Sequence, residues 1–108
     1  MKNSSPNVTI ASFLKHLSVE KRLAKNTRLS YKRDLESLKK FISEQKNKTV
    51  ETATSADVQD FIAFDFRKGL SARTIQRKSS AIRAFFDFLQ ERGKTKVNPA
   101  KNIKPPKT

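Results

Sequence analysis

The sequence predicts an all-α fold: a small four-helix bundle followed by a short C-terminal turn and linker. Three observations lead there. Four stretches carry apolar residues at the i, i+3, i+4, i+7 spacing of a helix face, and none alternates as a half-buried strand would. A length of 108 residues is one domain's worth. Hydrophobic residues make up only 35% of the chain, yet eight of them are Phe, enough bulk for a compact core.

The first helix is expected from about Thr9 to Arg22, with Ile10, Phe13, Leu14 and Leu17 on one face. Residues 1–7 precede it as a disordered start. The second is expected from about Thr27 to Gln45. Asn26 is its candidate N-cap, because its side-chain oxygen can take an orphan N–H of the first turn. Tyr31, Leu35, Leu38 and Ile42 form the apolar stripe, with Phe41 beside it. A polar connection follows at Asn47-Lys48-Thr49. The third helix has the clearest start: Thr54-Ser55-Ala56-Asp57 resembles a capping box, with Asp where Glu or Gln is more usual. Val58, Phe61, Ile62 and Phe66 supply its apolar face, and Gly69 suits the left-handed conformation that ends a helix. Ser71 caps the fourth and longest helix, which runs to about Arg92 and stops at Gly93. Ile75, Ile82, Phe85, Phe86 and Leu89 are its buried stripe. Asn98-Pro99-Ala100 reads as a turn, and Lys104-Pro105-Pro106-Lys107-Thr108 as an extended Pro-rich end. The domain is thus placed at 8–97 and a linker at 98–108.

Lys and Arg number 24 against 10 Asp and Glu, a net charge of +14. Self-repulsion of that size opposes compaction, so the charge points to a polyanionic partner, nucleic acid first and an anionic membrane second. The absence of Cys excludes disulfides, thiolate metal sites and Cys nucleophiles, and His16 is the only His. No Gly-rich phosphate loop, transmembrane run or signal-like start is present. The expectation is a soluble intracellular protein with no cofactor, no metal and no small-molecule substrate.

The charge is unevenly placed. Residues 25–48 hold eight basic and three acidic side chains, residues 51–68 two basic and four acidic, and residues 94–108 five basic and none acidic. On the fourth helix Arg73, Arg77, Ser80 and Ala84 share a face, with Thr74 and Lys78 beside it, apart from the apolar stripe. Arg, Lys, Ser, Thr and Gln are the side chains that reach phosphates and base edges in a major groove. The candidate DNA contacts are therefore Ser71, Arg73, Thr74, Gln76, Arg77, Lys78 and Ser80. At the start of the second helix they are Lys25, Asn26, Thr27, Arg28 and Lys32, where backbone N–H groups also favour a phosphate. The plain alternative is that both are solvated basic faces.

Other residues point less far. His16 lacks a second His or a Cys to work with and reads as a half-buried surface residue. Tyr31 lies on an apolar stripe, so core packing is the better reading than a nucleophile. Asp57, Asp60 and Asp65 are explained by capping and solubility. The Phe61/Phe64/Phe66 and Phe85/Phe86/Phe88 groups exceed one stripe each; core is favoured, with some exposed Phe open to a protein contact.

Leu23-Ala24-Lys25-Asn26-Thr27, followed by Tyr31-Lys32-Arg33-Asp34-Leu35, resembles the second-helix signature of the N-terminal core-binding domain of tyrosine recombinases, the phage-integrase and Xer-type family. The run from Gly69-Leu70-Ser71 through Arg77-Lys78-Ser79-Ser80 to Phe88-Leu89 resembles the family's fourth helix more closely still. Asn98-Pro99-Ala100, Ile103 and the Pro pair resemble its exit toward a catalytic domain. The resemblance implies a SAM-like orthogonal bundle that forms one half of a C-shaped clamp on double-stranded DNA, with the second and fourth helices against the major groove. It implies sister recombinase subunits as partners on paired sites, and a cytoplasmic, nucleoid-associated protein encoded by a bacterium, phage or mobile element. It also implies that this chain has no catalytic residues, since the family's constellation around a Tyr nucleophile belongs to the following domain. A protein-interaction module for subunit assembly is the alternative; a basic surface for anionic lipid is a third, weakened by apolar stripes committed to one another.

Overall fold

A computed structural model describes residues 6–104. Four helices, α1 (Pro6–Val19), α2 (Lys25–Lys46), α3 (Ser55–Arg67) and α4 (Ala72–Glu91), form an all-α bundle, with one 3-10 turn at Val50–Thr52 between α2 and α3. No strand occurs among the described residues. Of the start expected to be disordered, residues 1–5 lie outside the described residues, and Pro6 and Asn7 open α1. Pro at a first helical position needs no partner for the N–H it lacks. Residues 105–108, most of the expected Pro-rich end, also lie outside.

The helix ends correct two expectations. α1 stops at Val19, three residues early, because Arg22 takes the left-handed conformation (φ 53°) and Leu23 N–H returns to the Leu17 carbonyl at 3.0 Å. That reversal closes a helix in the way a Gly usually does, and an Arg in the role gives no sequence signal. α2 begins at Lys25 with Ala24 as its N-cap, which offers no side-chain oxygen. Asn26 therefore sits inside the first turn and caps nothing.

The other signals behave as read. Thr54 Oγ1 accepts from Asp57 N–H at 3.1 Å, and Asp57 Oδ2 accepts from Thr54 N–H at 3.0 Å, completing the capping box of α3. Ser71 Oγ accepts from Thr74 N–H at 3.2 Å at the start of α4. Gly69 and Gly93 adopt φ of +90° and +73° just past α3 and α4, where a Cβ would be strained.

α2 and α4 each pack against the other three helices. The whole predicted stripe of α4 is fully buried, and Phe13 of α1 meets Phe85 edge-on at 5.5 Å. Phe41 of α2 lies against Phe61 and Phe64 of α3 at 5.4 and 5.1 Å. Each fully buried large side chain contributes roughly 1.5–3 kcal/mol, which offsets the chain's self-repulsion. On α3 the stripe differs from expectation: Phe66 is exposed, and Asp65, one residue before it, faces the interior.

Packing also continues beyond residue 97. Ala100 and Ile103 belong to the same core as the helices. Asn98 holds them there, donating its amide to the Arg83 carbonyl (3.1 Å) and Asp87 Oδ1 (2.8 Å) while accepting from Ala100 N–H (2.8 Å). The segment expected to be linker is, as far as Ile103, part of the body.

Candidate nucleic-acid interface

The ion pairs decide which charges remain at the surface. Lys48 donates to Asp57 Oδ2 at 2.6 Å, Lys46 to Asp60 Oδ2 at 2.7 Å, and Lys78 to Asp65 Oδ2 at 2.7 Å. Every carboxylate of α3 is thus matched by a Lys of a neighbouring element. Burial alone would push the Asp57 carboxyl up. Hydrogen bonds from Lys48 and from Thr54 outweigh it, and its pKa falls below the ordinary value. Lys46, beside Asp60 and Asp57, is held above its ordinary value, mainly by the Asp60 hydrogen bond. The carboxylates of α3 are therefore neutralised, while Lys40 on α2 and Arg67 at the end of α3 stay exposed.

The N-terminal half of α2 does not cancel. Lys25, Asn26, Thr27 and Lys32 are exposed there, as is Arg33. Arg28 is half-buried, its Nε donating to the Leu23 carbonyl at 3.2 Å, which holds the side chain along the α1–α2 connection. On α4, Ser71, Arg73, Gln76 and Ser80 are exposed, and Thr74 is half-buried with its hydroxyl 3.0 Å from Ser71 Oγ. Among the described residues, Lys25, Lys32, Arg33 and Arg73 make no ion pair.

The two basic faces meet at one contact. Arg77 of α4 grips Asp34 of α2 with two parallel hydrogen bonds, Nε to Oδ2 at 3.0 Å and Nη2 to Oδ1 at 2.9 Å. Asp34 is 2% exposed, whereas the Arg77 side chain is 41% exposed. The carboxylate raises the Arg77 pKa further, against a smaller effect of burial. Thr27 and Tyr31 share the Asp34 side of α2, and Arg73 and Ser80 share the Arg77 side of α4, by helical spacing. The pair therefore joins Thr27 of α2 to Arg73 and Ser80 of α4, while Lys25 and Lys32, nine and two residues from Asp34, fall on the far side of α2.

Lys78 is a correction. Expected beside the polar face, it is 6% exposed, paired with Asp65 and lying 5.1 Å from the centre of the Phe61 ring. Its spacing carried the signal: it is three residues after Ile75 and four before Ile82, both fully buried. Asp34 sits equally on the α2 stripe, three residues after Tyr31 and four before Leu38, and was missed as a site residue. Asp65, read as a solubility residue, is the buried counter-ion of Lys78.

The remaining candidates are engaged in packing. His16 rests 5.1 Å from the Phe88 ring with Nδ1 3.2 Å from Glu20. Tyr31 is half-buried against the core. Among the described residues no group of three His, Cys, Asp or Glu side chains is placed to hold a metal ion, and no helix is long and apolar enough to cross a membrane.

Compared with known proteins, residues 10–93 match the family described as phage integrase, N-terminal SAM-like domain. This chain belongs to that family. Its SAM-like bundle is 38% identical over 99 residues to the tyrosine recombinase XerC of Escherichia coli O157:H7, covering 92% of this chain and 33% of that protein. The XerC of Shigella dysenteriae serotype 1 is 38% identical over 98 residues, covering 91% of this chain and 33% of that one. The SAM-like chain thus spans about a third of the length of the curated relatives it matches. No solved structure matches it at comparable significance.

Proposed function

We propose that the chain is a double-stranded-DNA-binding module of a phage-integrase-type tyrosine recombinase, one half of a C-shaped clamp. In this reading the N-terminal half of α2 and the polar side of α4 lie along the major groove and its phosphates. The observation that carries it is the placement of charge: each carboxylate of α3 is taken by a Lys of a neighbouring element, while Lys25, Lys32 and Arg33 on the N-terminal half of α2 and Arg73 on α4 are exposed and make no ion pair among the described residues. Ser71, Thr74, Gln76, Ser80, Asn26, Thr27 and Arg28 supply hydrogen-bonding groups beside them. Strand cleavage and transfer belong, in this reading, to another domain of such a recombinase. The single His and single Tyr of this chain sit on α1 and α2, engaged in packing. The partners are duplex DNA and sister recombinase subunits on paired sites. The setting is the bacterial cytoplasm, on the nucleoid.

Binding to a random-sequence duplex, measured by fluorescence anisotropy against salt, tests this. Four phosphate contacts predict a log–log slope of about −3.6, and Arg73→Ala lowers its magnitude by about 0.9. A slope near zero overturns the reading. A second reading, docking of a sister subunit, is favoured by Phe66, a large aromatic 43% exposed on α3. Sedimentation of a dimer that forms without DNA and is lost in Phe66→Ser would support it.

A further inference from the structure

A buried carboxylate spent on Arg77, a cation of the polar side of α4, is electrostatically wasteful for holding DNA. Asp34 removes one unit of net attraction where the two faces meet, and it points at the cation best placed to use it. Its geometry explains the arrangement. Asp34 takes one edge of the Arg77 guanidinium, the Nε and Nη2 side, with bonds of 3.0 and 2.9 Å. Two of the five N–H groups are used, and the opposite edge of Nη1 and Nη2 still offers two parallel donors. The carboxylate is 2% exposed and the Arg77 side chain 41%, so the part of the pair that reaches solvent is the arginine.

We propose that Asp34 is a positioning residue: it fixes Arg77 so that the far edge of the guanidinium reads the O6 and N7 atoms of a guanine in the major groove. The proposal rests on the DNA-binding reading above. A phosphate is content with a positive charge in almost any orientation, and a neighbouring carboxylate weakens that attraction. A guanine edge needs two donors at fixed angles, which a clamped planar fork provides. Arg73, one turn earlier and without an ion pair among the described residues, is the phosphate-type cation; Arg77 is the base reader.

The test selects bound duplexes from a randomised pool with the 108-residue chain and sequences them, alongside thermal melts. Wild type is expected to prefer guanine at one position roughly tenfold, the size a bidentate Arg–guanine pair confers. In Asp34→Asn the preference falls to about twofold or less, while low-salt retention of the unselected pool is at least that of wild type, because a negative charge has gone. Arg77→Lys keeps the charge without the fork and also loses the preference; retention of the preference in Arg77→Lys overturns the proposal even if Asp34→Asn does not fold. A helix-stapling role alone would lower the melting temperature and leave the preference intact. That result, or wild type binding duplexes with no guanine preference, overturns the proposal. Wild type failing to hold any duplex overturns the DNA-binding reading itself.

Discussion

Replacing Lys78 by Met separates a core cation from an interface cation. Met keeps most of the side-chain length, so the cavity term is small and the loss is mainly electrostatic. Lys78 and Asp65 are 8% and 2% exposed at the side chain and 2.7 Å apart. Removing one partner of such a pair costs about 3–5 kcal/mol, because the other charge is left buried and uncompensated. Lys68, 3.9 Å from Asp65 and largely exposed, compensates in part and sets the expectation at the lower end. The lost contact with the Phe61 ring adds about 0.5–1 kcal/mol. A total near 3–4 kcal/mol lowers the melting temperature by roughly 12–32 °C, at about 4–8 °C per kcal/mol for a domain of this size. Thermal denaturation followed by circular dichroism reads this directly. The salt slope of DNA binding, measured well below the melt, stays at the wild-type value because the ammonium faces Asp65. Arg73→Ala gives the opposite pattern, a smaller slope and a nearly unchanged melt. A Lys78→Met protein that melts within a few degrees of wild type, or that loses about one unit of slope, refutes the assignment of Lys78 to the core.

Three further outcomes are expected. Ser79 Oγ is fully buried on α4 without a hydrogen-bond partner among the described residues, so Ser79→Ala raises stability by up to ~1 kcal/mol, visible as a higher urea midpoint. The Asp57 carboxyl is held below its ordinary value by Lys48 and Thr54 despite burial. It therefore stabilises the fold at pH above its unfolded value, near 4, and that stability is lost as pH falls through the lower folded value. Asp57→Asn is accordingly less stable than wild type at pH 7, and the gap closes on acidification in paired denaturant titrations. Asn98→Ala loses three hydrogen bonds that seat residues 98–103; hydrogen exchange at Ile103 N–H, which is bonded to the Ala100 carbonyl, accelerates while that in the middle of α4 does not.

What could be read from sequence follows from the range of the interactions. Stripes, capping box and left-handed glycines depend on residues within one or two turns, and Leu35, Ile62, Ile82 and the Thr54–Asp57 cap stand where spacing put them. Arg22 and Ala24 break the rules by which helix ends are recognised, since neither is the residue type usual for its position. The basic faces were legible as faces, but their charge was not. Arg77 finds Asp34 across 43 residues and Lys78 finds Asp65 across 13, and such pairings depend on which helices meet. A charged residue at a stripe position, as with Asp34, Asp65 and Lys78, is the local trace of a buried pair.

Amide chemical-shift mapping during titration with duplex DNA tests the central claim most directly. The account predicts that the largest shifts fall on Lys25–Arg33 and Ser71–Ser80, with the outer side of α3 around Asp60 and the α1 surface around His16 unmoved. Shifts centred on α3 around Phe66, with α2 and the start of α4 unmoved, would contradict it.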